Sequence, residues 1–159
     1  MSTMRTSRLN PVTAVAALAT LALTASPALA SGHSILRAEL VGSMTADPPI
    51  AGIAPGGAPW VNGPSKARVR EDGRIEVKIK GLVIPPPVGT GVNPVASVVA
   101  TLVCDGAVES STAPFALDAA GDGSTSDVIT GTRHCEDPIV LIQPAANLAR
   151  FIASTVDDD

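Results

Sequence analysis

The sequence predicts an all-β domain, a single two-sheet β-sandwich of about seven or eight strands with one disulfide. Aromatic side chains are scarce: Trp60, Phe115 and Phe151 are the full set, so the core must be built from Val, Ile, Leu and Ala. β-Branched residues favour strands, and 14 glycines and 14 prolines divide the chain into short segments. The sequence has no long helical pattern, and its two cysteines can supply the disulfide.

The first thirty residues have the three parts of a secretory signal peptide. Arg5 and Arg8 form a cationic start, Val12–Leu23 is uncharged and mostly apolar, and Ala28-Leu29-Ala30 is a small-x-small cleavage site. The apolar stretch is too short to span a bilayer, which takes about 20 residues. We therefore expect cleavage after Ala30, a secreted, extracellular product without a membrane span, and one domain over residues 31–159.

Signal removal also changes the charge balance of the protein. Loss of Arg5 and Arg8 takes the formal net charge from −4 to −6. A net-acidic exported protein is not expected to bind nucleic acid.

The segment that follows the signal opens with a strand pattern over Ile35–Val41, closed by Gly42. A loop rich in Pro and Gly spans residues 47–64 and contains Trp60. We expect this lone Trp to cover one end of the core, with stacking on a sugar as the alternative.

The clearest hairpin pattern lies between Lys66 and Lys80, where apolar and charged residues alternate on either side of Glu71-Asp72-Gly73. A two-residue turn would mix apolar and charged groups on one face. A three-residue loop instead pairs Val69 with Ile75 and Ala67 with Val77, which keeps each face consistent. It also places Gly73 at the left-handed position that such loops require.

A second hairpin is predicted by the same reasoning. Val95–Val103 is a nearly continuous apolar run, which is typical of a central strand. With Cys104-Asp105-Gly106 as a three-residue loop, Leu102 would face Val108 and Thr101 would face Glu109.

The remaining elements are short. Pro85-Pro86-Pro87 cannot join a sheet ladder and predicts a crossover between the two sheets. Three further strands are predicted, and Leu148–Ala153 is left open between a closing strand and one helical turn. The three strands are Phe115–Leu117, Ser126–Thr130 and the buried run Ile139–Ile142.

Cys104 and Cys135 are the only cysteines. In an exported chain two thiols most often form a structural disulfide, here from a hairpin tip to a late strand. A metal pair or a redox couple is the alternative, and the CxxC spacing that would favour either is missing.

Six basic residues cluster within the first hairpin and provide the candidate anionic-ligand face. They are Lys66, Arg68, Arg70, Arg74, Lys78 and Lys80, against Glu76 alone on that face. Such a face can bind an anionic cell-wall polymer, a polysaccharide or lipid headgroups. It can also be a solvated face whose charges discourage edge-to-edge pairing. Arg70 opposite Arg74 is a like-charge pair, which slightly favours function.

Metal and catalytic patterns have little support in the sequence, so we predict no cofactor, no metal site and no enzyme activity. Asp118, Asp122 and Gly123 fit three positions of a calcium loop, but Ala120 and Ile129 stand where carboxylates are required. We expect a polar turn there instead.

The two histidines give no catalytic pattern. His33 is expected at a frayed N-terminus and His134 at the surface, while a triad of His134 with Ser126 and Asp127 rests on proximity in the sequence alone. Asp157-Asp158-Asp159 is expected to be a solvated tail.

Part of the chain resembles the chordin-type CHRD domain. Ala38-Glu39-Leu40-Val41-Gly42, then Pro48-Pro49, and later Gly73 and Gly81-Leu82 match its opening, although the histidine motif after Gly-Leu is replaced by Pro85-Pro86-Pro87. The whole chain also resembles uncharacterised secreted proteins of high-GC Gram-positive bacteria with one late cysteine pair. Both resemblances imply an extracellular β domain, Ig-like or CHRD-like, and transfer no functional residue.

The expected function is therefore that of a secreted, non-catalytic β domain that binds or structures material at the cell surface or extracellular matrix. The basic hairpin is its candidate contact with an anionic polymer. The alternative is a small secreted hydrolase or inhibitor whose site is assembled from residues distant in sequence.

Overall fold

The computed structural model describes residues 32–155, and this part of the chain is all-β and contains no helix. The predicted signal peptide over 1–30 and the acidic stretch 157–159 lie outside the described residues. Seven strands have five or more residues and five have two. They are β1 Ser34–Glu39, β2 Val41–Gly42, β3 Ala54–Pro55, β4 Lys66–Arg70, β5 Arg74–Ile79, β6 Ser97–Cys104, β7 Ala107–Ser111, β8 Phe115–Ala116, β9 Gly123–Val128, β10 Pro138–Pro144, β11 Arg150–Phe151 and β12 Ala153–Ser154.

The first hairpin lies at the centre of a four-stranded antiparallel sheet with strand order β1-β4-β5-β9. Val69 pairs with Ile75 and Ala67 with Val77, which confirms the predicted register. Gly73 has a φ of +87°, and a Cβ there would lie 2.3 Å from the carbonyl oxygen of Ile129. Only glycine fits this position, since the backbone is left-handed and the neighbouring strand is too close.

The second hairpin belongs to a six-stranded sheet with order β2-β12-β10-β6-β7, in which β8 also pairs with β6. The predicted three-residue loop is wrong, because Cys104 pairs with Ala107 and Val103 with Val108. Asp105 and Gly106, at φ of +51° and +79°, form a two-residue turn. The register shifts between Val103 and Leu102, which pairs with Ser110, so a bulge takes up the extra residue.

The disulfide between Cys104 and Cys135 is present, as predicted, with the two Cα atoms 5.1 Å apart. Cys104 is the last residue of β6, and Pro138, the first residue of β10, pairs with it directly. The disulfide therefore joins the hairpin end of β6 to the segment that leads into β10.

The two larger sheets share one core. Inward side chains of the four-stranded sheet, such as Val69 and Ile75, belong to the same buried cluster as Ala100, Leu102 and Val140 of the six-stranded sheet. Trp60 is 5% exposed and lies in this cluster, in agreement with a covering role at the core.

A smaller cluster covers the opposite face of the six-stranded sheet. Ile53 from the long loop packs there with Val103, Leu141 and Phe151. β6 is consequently buried on both faces, which explains its nearly continuous apolar sequence and confirms the predicted central strand.

The connections follow the predictions in part. The Pro85-Pro86-Pro87 segment leads from β5 in the four-stranded sheet to β6 in the six-stranded sheet, as predicted. The strand predicted at Ser126–Thr130 instead spans Gly123–Val128, because the polar residues Ser124 and Ser126 alternate on an exposed edge and give no apolar signal. Residues 148–153 contribute strands β11 and β12 rather than a helical turn.

Among residues 32–155, the structure has no helix that is long and apolar enough to cross a membrane.

Candidate functional site

Most of the basic side chains lie on the outer face of the four-stranded sheet. Alternate residues of a strand point to opposite faces, so burial of Ala67, Val69, Ile75 and Val77 turns the charged residues between them outward. We call this surface the basic face. It comprises Arg37 on β1, Lys66, Arg68 and Arg70 on β4, Arg74 and Lys78 on β5, and Lys80 just after β5.

The basic face concentrates the cations of the protein. Of the nine Lys and Arg residues after residue 30, only Arg133 and Arg150 lie elsewhere. The structure adds Arg37 to the six residues identified from the sequence, because β1 pairs with β4 and places Arg37 opposite Arg68. That pairing joins residues about thirty positions apart, and no local pattern indicates it.

Like charges lie directly opposite each other on this face. Lys66 pairs with Lys78, and Arg37 pairs with Arg68. Directly opposed like charges on neighbouring strands are destabilising, in the range of about 0.2–1 kcal/mol for cross-strand pairs. Two opposite-charge pairs on the same face, Glu39 with Lys66 and Arg68 with Glu76, offset this cost. The face nevertheless has more cations than carboxylates, so an anion that lies over the sheet would add favourable contacts.

These cations surround two adjoining grooves. One, with a volume of about 340 Å³, is lined by Arg37, Lys66, Arg68 and Lys78, with Glu76 as its acidic residue. A second groove of about 520 Å³ shares Lys66 and Lys78, continues toward Lys80 and has Glu39 as its acidic residue. Lys66 and Lys78 thus lie at the middle of a continuous, open surface.

Two of the predicted face residues are engaged by acidic partners. An Arg70 guanidinium nitrogen lies 3.7 Å from a Glu76 carboxylate oxygen, and the Arg70 side chain is only 17% exposed. Lys80 Nζ donates to Asp122 Oδ2 at 2.6 Å. Arg74 has no such partner but lines neither groove, so Arg37, Lys66, Arg68 and Lys78 are the residues best placed to contact a ligand in the grooves.

Asp122 belongs to the segment that matches a calcium-binding loop at three positions. Asp118 Oδ1 accepts hydrogen bonds from the amides of Ala120 and Asp122 at 2.9 Å, which makes a polar turn. Asp122 in turn accepts from Lys80 and from the Gly81 amide, at 2.8 Å. Within residues 32–155 no group of three His, Cys, Asp or Glu side chains is placed to hold a metal ion.

The Lys80 hydrogen bond, followed by the Gly81 amide, holds the pKa of Asp122 below its ordinary value of 3.8. A carboxylate with a lowered pKa stabilises the fold above its ordinary pKa, and this stabilisation is lost as the pH falls through the folded value. Asp122→Asn should therefore make the free energy of unfolding less dependent on pH in the acid range. Asp127, whose pKa the amides of Ala113 and Val128 also lower, should retain part of that dependence.

Denaturant unfolding between about pH 6 and pH 2.5 measures this effect. Exposed Glu136→Gln is the matched charge control. Equal pH profiles for the two variants would contradict the role of Asp122.

A separate cavity of about 440 Å³ lies at the disulfide end of the molecule. Its lining includes His134 and four acidic residues, Glu71, Asp72, Asp105 and Glu109. Within the described residues, no hydrogen bond or ion pair orients His134 with a carboxylate. Ser126 and Asp127 are consecutive on β9 and point to opposite faces, and Asp127 accepts from the Ala113 amide at 2.8 Å. The structure therefore does not assemble His134, Ser126 and Asp127 as a triad.

No family model, curated protein or solved structure matches this chain.

Proposed function

We propose that this protein is a secreted, non-catalytic β-sandwich domain that binds an anionic polymer at the cell surface through the basic face. An anionic cell-wall polymer such as a teichoic acid, or an acidic polysaccharide, is the ligand class of choice. One observation supports it: seven of the nine Lys and Arg residues after residue 30 of a net-acidic protein lie on one sheet face.

The position of these strands argues against a purely structural role for the charges. Lys and Arg residues commonly protect the edges of sheets from pairing with other chains. β4 and β5 carry most of the basic face, yet both are interior strands, flanked by β1 and β9. Charges on their outer face do not protect an edge.

The shape of the face suits an extended ligand rather than a compact one. Outward residues on one strand repeat at about 6.6 Å and neighbouring strands lie about 4.8 Å apart, so the cations form an open array. A polymer with repeated negative charges can contact several of them at once. Each ionic contact is weak and exposed to solvent. Several such contacts together give a binding affinity that falls strongly as the salt concentration rises.

Retention on isolated Gram-positive cell walls over a salt series tests this proposal. We expect the purified protein to be retained at low ionic strength and released as the salt concentration rises. The Debye length, over which charges interact, falls from about 10 Å at 0.1 M to about 3 Å at 1 M. Retention that is independent of salt would contradict electrostatic binding.

The cavity beside His134 supports the alternative, a small secreted hydrolase. His134 and four carboxylates line this cavity, and these residue types can perform general acid and base chemistry. Turnover of an ester, glycan or peptide substrate that is lost in His134→Ala would favour this function over binding by the basic face.

A further inference from the structure

The charges at the centre of the basic face form an array of two rows that cross strands β1, β4 and β5. Residues directly opposite each other on neighbouring strands make up each row, and the rows lie about 6.6 Å apart, two residues along a strand. The rows are Arg37, Arg68 and Glu76, and Glu39, Lys66 and Lys78. Two opposite corners of the array are therefore carboxylates, and the other two corners are cations.

The two cationic corners, Arg37 and Lys78, define a diagonal across the sheet. Arg68 and Lys66 lie at the middle of the array, one on each side of this line. The strand and row spacings give the diagonal a length of about 12 Å and place each carboxylate corner about 5 Å from it. All four cations line the same groove. A linear chain of negative charges on this diagonal would contact four cations and neither carboxylate.

Glu76 interrupts the other lines of cations on the face. Along β5 it lies between Lys78 and Arg74, and all three side chains point outward. Along β4, Arg70 follows Arg68, but Arg70 lies 3.7 Å from Glu76 and is only 17% exposed. The Glu76 side chain itself is 45% exposed. A polyanion that followed either strand would therefore approach this carboxylate within a Debye length and be repelled.

Glu39 has the corresponding position on the β1 side of the array. It lies opposite Lys66 and two residues after Arg37 on the same strand. Its side chain is exposed and forms no ion pair among residues 32–155. Its negative charge therefore remains available to repel a polyanion that leaves the diagonal along β1.

We propose that Glu39 and Glu76 are specificity-determining residues, which confine an anionic polymer to the diagonal from Arg37 to Lys78. This inference rests on the proposed function of the basic face and deepens it, because it gives the ligand a direction and a shape. A single extended chain fits between the two carboxylates. A broad anionic surface would bring negative charge against both of them.

Lys78 and Arg74 form a matched pair that tests the diagonal, because both are exposed cations of β5, two positions on either side of Glu76. Isothermal titration with polyphosphate measures the association constant. Lys78→Ser should lower it about fivefold, the contribution of one basic residue at an anionic surface. Arg74→Ser should lower it less than about twofold, because the Arg74 charge acts only through screened solvent. Equal losses would overturn the diagonal and leave the proposed function intact.

Glu76→Gln and Glu39→Gln test the confining role, and Glu136→Gln, an exposed carboxylate outside the basic face, is the matched control for net charge. Each of the two variants should raise the affinity for polyphosphate about threefold more than the control, in the range of a single exposed charge contact. Gains no larger than that of the control would overturn the role of these carboxylates.

A double variant shows whether Glu76 blocks the line toward Arg74. In the Glu76→Gln protein, Arg74→Ser should lower the affinity about fivefold, because a chain can then follow β5 to Arg74. A loss below about twofold in this background would overturn the block, since it would match the single Arg74→Ser variant. If the unaltered protein does not bind polyphosphate, the proposed function fails and this inference fails with it.

Discussion

Replacing Arg37, Lys66, Arg68 and Lys78 together with Ser is expected to weaken binding to an anionic polymer by about 100- to 1,000-fold. Each basic residue contributes about 1 kcal/mol to binding at an anionic surface, and every 1.4 kcal/mol changes the dissociation constant by a factor of about ten. These four residues line one groove, and their side chains are not ion-paired within the described structure. Isothermal titration with polyphosphate measures the change.

The stability of the fourfold variant separates loss of binding from loss of folding. Two like-charge pairs, Lys66 with Lys78 and Arg37 with Arg68, disappear in this variant. Two opposite-charge pairs, Lys66 with Glu39 and Arg68 with Glu76, are lost as well, so the free energy of unfolding should change little. Arg133→Ser, a cation outside the basic face, is the control and should leave affinity nearly unchanged. Wild-type affinity in the fourfold variant would contradict the assigned face.

Replacing both Cys104 and Cys135 with Ala is expected to lower the free energy of unfolding by about 3–4 kcal/mol. The two cysteines are 31 positions apart, and the segment between them includes strands β7, β8 and β9. Without the covalent link, the unfolded chain gains conformational freedom over this whole segment. Ala avoids placing a hydroxyl at position 104, where the native side chain is 4% exposed.

Reductant provides the control for the disulfide. The wild-type protein in dithiothreitol should unfold at the denaturant concentration of the double variant, and the double variant should not respond to reductant. A difference of less than about 0.5 kcal/mol between the oxidised protein and the double variant would contradict a stabilising role, since the expected range is several times larger.

Local patterns predicted the first hairpin well and the second one poorly. Around Glu71-Asp72-Gly73 the alternation of apolar and charged residues leaves one register with consistent faces, and the structure has that register. β6 is buried on both faces, so its apolar residues do not distinguish one register from another. Asp105 adopts a positive φ, which permits the shorter turn, and the bulge beside Leu102 compensates for it.

The basic face was predictable in part. Six of its residues share one hairpin and appear together in the sequence. Arg37 joins them through the pairing of β1 with β4, and Lys80 is engaged by Asp122, 42 positions later. Both effects depend on contacts between distant segments, which alternation within one hairpin cannot indicate. Among the two-residue strands, β8 lies within the strand predicted at Phe115–Leu117. β3 lies in the segment predicted as a loop, because so short a strand has no recognisable period.

The central claim, that the basic face holds an anionic polymer by charge, is tested most directly by the affinity of the unaltered protein for polyphosphate as a function of salt. We expect the logarithm of the association constant to fall linearly with the logarithm of salt concentration, with a slope that is markedly reduced in the fourfold variant. A slope near zero for the unaltered protein, or equal slopes for both proteins, would contradict the claim.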